Sequence, residues 1–182
     1  IDLRLEASGQ EWQVSEIASM GGAPPELPEP EESQSQDAQG SDPDNVAVQV
    51  LESPSIELPS SSRWDIMQGR IDDRLLSMML DLSESYTISV AVLATGHPVN
   101  VFDSPSESNH TRGRAVDIWA IDGVTVAELR EAGTDGPAGA LMEEALAGGA
   151  TEVGGPWALS TEHGAAFTDL VHEDHLHVGF KQ

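Results

Sequence analysis

The run His172-Glu173-Asp174-His175-Leu176-His177-Val178-Gly179-Phe180-Lys181-Gln182 decides how the rest of the chain is read. Three of the six histidines fall within it, and the Leu-x-Val-x-Phe alternation has the period of a half-buried strand. Side chains two apart in a strand share a face, so His175 and His177 are expected to point one way while Leu176 and Val178 turn into a core. Two imidazoles held side by side on a strand begin a metal site.

Further donors stand at Ser108-Asn109-His110-Thr111-Arg112-Gly113-Arg114-Ala115-Val116-Asp117. His110 offers a nitrogen and Asp117 an oxygen, both of kinds that zinc accepts. Gly113 permits a sharp turn after His110, and Arg114 to Trp119 reads as a strand returning Asp117 beside it. With one of the later histidines this makes two imidazoles and a carboxylate, and catalytic zinc commonly takes three protein ligands and a water.

Ser108, His110, Gly113, Ala115 and Asp117 fit S-x-H-x-x-G-x-A-x-D at every fixed position. Followed by His175-x-His177, the pattern resembles the zinc peptidases of the D-alanyl-D-alanine carboxypeptidase, murein endopeptidase and lysostaphin superfamily, to which Hedgehog domains are structurally related. His172 to Val178 is particularly similar to the ending of penicillin-insensitive murein endopeptidases. The resemblance covers residues 46–182. It implies one Zn2+ per chain held by His110, Asp117 and His177, with His175 as general base, and a peptidoglycan peptide as substrate.

Zinc lowers the pKa of its water toward ~7, and a nearby imidazole can carry the proton to the leaving amine, so the implied roles agree with the chemistry. Ser108 is expected to support His110 by hydrogen bonding, and His172 to donate to the site from beside it. A different branch of the superfamily uses an acid three residues before the last zinc ligand, which makes Asp174 the alternative base. In a regular strand Asp174 faces away from His175 and His177, which favours His175. Carboxypeptidase relatives carry an S-G-Y-R-like motif, whereas this chain reads Thr95-Gly96-His97-Pro98. Arg112 or Arg114 would have to replace that arginine, so endopeptidase action is favoured. His97 and His163 read as loop or core residues. The alternative to an enzyme is a zinc-stabilised, non-catalytic binding module of an envelope or extracellular assembly.

Composition narrows the partners. A chain of 182 residues holds one domain with a real core and room for an appendage. Its formal net charge is -24, and residues 1–62 and 63–182 each contribute -12, so the first third is about twice as acidic per residue. Carboxylates in this excess repel phosphate backbones and anionic lipid, which argues against nucleic acid and membrane surfaces as partners. Without cysteine there are neither disulfides nor thiolate metal ligands. No apolar run is long enough to span a bilayer. The chain opens on Ile1, which reads as the start of a processed or excised segment. An upstream domain or anchor, and an extracellular or cell-envelope location, are expected.

Along the chain, residues 1–20 read as a short arm or the end of an upstream domain, with Ile1, Leu3 and Leu5 alternating. Residues 21–45 are rich in Gly, Pro, Glu, Ser, Gln and Asp and read as a disordered acidic linker. The folded domain is expected over 46–182, opening with the alternation Val46, Val48, Val50. Helical spacing from Asp65 to Leu82, broken at Gly69, predicts two short helices with Met78 and Met79 in the core. Tyr86 to Thr95 is the strongest strand, and Val99 to Glu107 a surface loop. A turn at Asp122-Gly123 precedes helices over Val126 to Ala132 and Ala138 to Ala147. Glu152 to Trp157 reads as a short strand or loop, and Trp119 and Trp157 as core or cleft walls. The fold class is α+β: a small antiparallel sheet carries the site and helices pack on one side.

Overall fold

The computed structural model describes residues 45–160 and 165–181, and the backbone alone of 2–8 and 11–18. The expected linker lies outside these apart from Asn45, and so does His163. The chain divides after Gly40 into two units. In the first, β1 (Asp2–Ser8) and β2 (Glu11–Ala18) pair antiparallel.

The second unit opens on a helix. The Asn45 side chain accepts from the N–H groups of Ala47 and Val48, satisfying donors that the first turn of α1 (Val46–Glu52) leaves free. Val46, Ala47, Val50 and Leu51 then form one helical face against the core, so the valine alternation does not make a strand. β3 (Ile56–Glu57), α2 (Ser60–Met67) and α3 (Asp73–Ser85) follow. Gly69, at a left-handed φ of 64°, lies in the break between α2 and α3, where the helical spacing had placed it. Leu75, Leu76, Met78, Met79 and Leu82 are buried on α3, both methionines in the core.

The remaining elements are β4 (Ile88–Val92), β5 (Ala115–Ile121), β6 (Val124–Thr125), α4 (Val126–Leu129), α5 (Pro137–Ala147), β7 (Glu152–Gly154), β8 (Ala166–Phe167) and β9 (Leu176–Gly179). The strands form one sheet in the order β3-β4-β5-β9-β7-β8, with β6 also on β5. The α+β class stands, but the small antiparallel sheet does not. Seven strands form a mixed sheet, since β3 pairs parallel with β4 and β7 parallel with β8. The helical passage through α2 and α3 between β3 and β4 is the kind of crossover that parallel pairing requires. Strands of two residues, as β3 and β8 are, carry no periodicity from which such a pairing could be read.

Alternation along the central strands separates two faces. Val116 and Ile118 of β5, Leu176 and Val178 of β9 and Val153 of β7 join Leu75 and Met79 of α3 and Leu141 and Met142 of α5 in one core cluster. Asp117 and His177 alternate with these residues and so turn to the opposite face. Trp119 departs from the expected core or cleft position and is 46% exposed. It is the extra residue where the register between β4 and β5 shifts, a bulge that re-aims a side chain. Trp157 packs partly buried against the core. The final strand is shorter than its pattern suggested, for β9 begins at Leu176 and both Asp174 and His175 precede it.

Candidate metal centre

The segment bearing His110 is a 3-10 turn over Asn109–Arg112. Ser108 caps it, its Oγ accepting from the His110 N–H at 3.3 Å. Ser108 thus hydrogen-bonds to His110 through the backbone N–H and not through the ring. Gly113 ends the turn at φ 66°, and a Cβ there would collide with the Arg70 carbonyl, so the reversal into β5 requires glycine.

The His110 ring is held by Leu93, whose carbonyl accepts from Nδ1 at 2.5 Å, leaving Nε2 to face the site. Leu93 opens a segment that Asp65 pins from α2. The buried Asp65 carboxylate accepts from the N–H groups of Ala94 (3.1 Å) and Thr95 (2.7 Å), from Thr95 Oγ1 (2.6 Å) and from Arg70 (2.9 Å). One acid thus fixes both the acceptor for His110 and the stretch leading to His97.

Asp117 and His177 are cross-strand partners in the β5–β9 ladder. His110 Nε2 lies 3.1 Å from Asp117 Oδ1 and 3.2 Å from His177 Nδ1, and His177 Nδ1 lies 3.1 Å from Asp117 Oδ1. All three side chains are buried. Burial opposes the charge on Asp117, but hydrogen bonds from His110 and His177 outweigh it and hold the carboxyl far below the usual range. Burial likewise opposes a charged His177, yet Asp117 and Glu152 raise the imidazole to about 9. His177 Nε2 is buried without a hydrogen-bond partner, and Glu152 Oε2 stands 3.5 Å away, an electrostatic contact too long for a full hydrogen bond.

Two more imidazoles flank the carboxylate, His97 Nε2 and His175 Nε2 each lying 3.9 Å from Asp117 Oδ2. His97 stacks on His110 with ring centroids 3.9 Å apart, so it belongs to the site and not to a plain loop. His97, His110 and Asp117 place three ligand atoms within 4.8 Å of one another and could hold a metal ion. Burial and the neighbouring His110 lower the His97 pKa. Pro98 O accepts from His97 Nδ1 at 2.8 Å, and Asp174 Oδ1 from His175 Nδ1 at the same distance, which turns both Nε2 atoms toward Asp117. His172 packs beside His175 and His177, its Nδ1 2.6 Å from Asp169. Burial lowers its pKa against the pull of Asp169.

Asp174 is exposed and borders a separate depression with Ala127, Arg130 and Glu173. Arg112 pairs with Glu107, and Arg114 lies near Asp72. Neither lines the cleft of about 550 Å³ into which His97, His172, His175 and His177 open, so neither occupies the place of a substrate-facing arginine. Val101, Phe102, Phe167 and Val171 supply apolar lining to that cleft.

Glu152, Asn109 and His97 were not assigned to the site from the sequence. Glu152 accepts from Asn109 Nδ2 at 2.5 Å and reaches His177, but an isolated acid before Val-Gly-Gly carries no local pattern. His97 had a readable signal, because it follows the strongest predicted strand and stands at the tyrosine position of the S-G-Y-R-like motif, one residue before the place of its arginine.

The fold and the site together define an α+β domain with a buried His, His and Asp group on one face of a mixed sheet. Comparisons with known protein families, with curated proteins and with solved structures find no match.

Proposed function

We propose that the domain is a zinc peptidase that hydrolyses peptide bonds of peptidoglycan, acting as an endopeptidase outside the cytoplasm. The observation that carries this reading is the triangle of His110 Nε2, Asp117 Oδ1 and His177 Nδ1, with sides of 3.1 to 3.2 Å. Ligands about 2.0–2.1 Å from a tetrahedral zinc are separated by about 3.3–3.4 Å, so the donor set fits that ion. His110 supports it further, since its Nδ1–H is engaged by a backbone carbonyl, the arrangement that presents the other nitrogen to a metal. When bound, zinc would polarise the scissile carbonyl and acidify the attacking water.

The chain's own residues supply the proton handling. His175 Nε2 points to the same carboxylate as the ligand group while Asp174 holds its Nδ1–H, so it can take a proton at Nε2 from water and return it to the leaving amine. His172 lines the same cleft, and with its Nδ1–H held by Asp169 it would donate to the substrate from Nε2 as the imidazolium. Among the described residues no arginine lines the cleft, and Lys181 is its one basic side chain apart from the histidines. That favours cleavage within a peptide over recognition of a terminal carboxylate. The apolar lining from Val101, Phe102, Phe167 and Val171 suits a peptide substrate.

A second reading, a zinc-stabilised binding module, draws on His97, whose nearness to His110 and Asp117 could close the coordination that catalysis leaves open. Purified wall peptides separate the two readings. Zinc-dependent hydrolysis by the wild type and its loss in His175→Ala supports the peptidase, whereas stoichiometric zinc with no cleavage of any wall peptide favours the module.

A further inference from the structure

Glu152 stands at the meeting of the two segments that carry the imidazole ligands. One of its oxygens, Oε2, accepts from Asn109 Nδ2 at 2.5 Å, and Asn109 is the neighbour of His110 in the 3-10 turn. The same oxygen lies 3.5 Å from His177 Nε2. That nitrogen is buried and has no hydrogen-bond partner, and among the described residues Glu152 is the one carboxylate within ion-pair reach of it. The backbone adds to the placement, for β7 pairs with β9 so that Glu152 stands opposite Gly179 and Gly154 opposite His177.

An imidazole can present either nitrogen to a metal, and the partner of the other nitrogen decides which. The other sides of the triangle already have their anchors, since Leu93 fixes the His110 ring and the β5–β9 register fixes Asp117 opposite His177. For His177 no backbone carbonyl among the described residues does this work. We propose that Glu152 is the positioning residue of the metal centre: its carboxylate keeps the proton of His177 on Nε2, so that Nδ1 faces the ion, and through Asn109 it ties the His110 turn to the same point. The inference rests on the zinc reading above and deepens it. An acid beside a ligating imidazole also raises the basicity of that ligand, so removing it should weaken the metal as well as free the ring.

The test uses the full chain, zinc alone as the affinity probe, and cadmium with nitrogen-labelled histidine as the NMR probe of which ring nitrogen carries the metal. Glu152→Ala should weaken zinc about 10–100-fold, and its His177 should couple to cadmium through both nitrogens in exchange. Glu152→Gln keeps one acceptor oxygen for both contacts and should retain coupling to Nδ1 alone, with a smaller loss of affinity. Should Glu152→Ala fail to fold, Asn109→Ala removes one anchor of the carboxylate and should still weaken zinc several-fold. Wild-type zinc affinity in Glu152→Ala, or in Asn109→Ala where that variant stands in, would overturn the proposal, as would coupling to Nδ1 alone in Glu152→Ala. In either case the zinc site itself stands. If the wild type takes up no zinc, both the site reading and this inference fall.

Discussion

Asp117 and His177 face each other across the β5–β9 ladder with Oδ1 and Nδ1 3.1 Å apart, while His175, outside the strand, approaches the other oxygen of the same carboxylate at 3.9 Å. Two histidines separated by one residue therefore stand in unequal relation to Asp117.

The two should fail differently. His177→Ala removes a buried donor and should abolish stoichiometric zinc binding, lowering thermal stability because metal bound to the native state contributes to folding. His175→Ala should keep its zinc while turnover falls about 10²–10⁴-fold, the usual scale for a positioned acid or base. Metal content and peptide hydrolysis, measured on the same preparations, check both. Zinc lost from His175→Ala and kept by His177→Ala would reverse the assignment.

The metal-free protein should show a pH dependence of opposite sign to that of metal uptake. His177 is raised to about 9 by Asp117 and Glu152 against the cost of burial, compared with about 6.5 in an unfolded chain. Its contribution to stability is fully present below about 6.5 and is lost as pH rises through about 9. Glu152, depressed to about 2 by His177 and Asn109 against burial, contributes above about 4.5 and loses that contribution as pH falls toward 2. Chelator-treated protein should accordingly melt at lower temperature at pH ~9.5 than at ~6.5. The stabilisation gained on adding zinc should grow over the same interval, since the ion competes with the His177 proton. Melting curves with and without zinc across that range provide the check, and a flat metal-free profile would contradict it.

The parts legible in the sequence were those governed by local chemistry. The strand period placed Leu176 and Val178 in the core, Gly69 marked a helix break, and the glycine after His110 marked the turn that leads into β5. The same local logic located the segments that the fold brings together at His110, Asp117 and His177. What it could not supply was long-range. Parallel pairing of β3 with β4 and of β8 with β7 depends on crossovers, and the exposure of Trp119 depends on a register shift against β4. Glu152 reaches the site only because β7 lies beside β9, a neighbour relation that no spacing encodes.

Asp65 offers a test of how far from the metal the site is built. Its buried carboxylate gathers four donors, two of them backbone N–H groups of the segment that begins at Leu93. Asp65→Ala leaves those groups without partners and should cost about 3 kcal/mol of stability or more. Because Leu93 anchors the His110 ring and His97 lies further along the same segment, zinc affinity should fall as well, although Asp65 touches no donor atom of the site. Denaturant unfolding and zinc competition read the two effects separately. A destabilised variant with unchanged affinity would show that the segment keeps its shape without this acid.

Asp174 is the residue on which the choice of general base turns. It is 77% exposed, it borders the depression beside Ala127 and Arg130, and its Oδ1 accepts from His175 Nδ1 at 2.8 Å. This contact gives it an orienting part that a residue facing away in a regular strand would lack. Asp174→Asn retains a carbonyl oxygen that can accept from Nδ1–H, so His175 should keep its direction and turnover should fall only a few-fold. Asp174→Ala removes the acceptor and frees the ring, which should cost about tenfold, still well short of the loss in His175→Ala. The rank order of the three variants, each at full zinc occupancy, is the measurement. If Asp174→Asn alone abolishes turnover while His175→Ala keeps most of it, the carboxylate is the base and the imidazole its support.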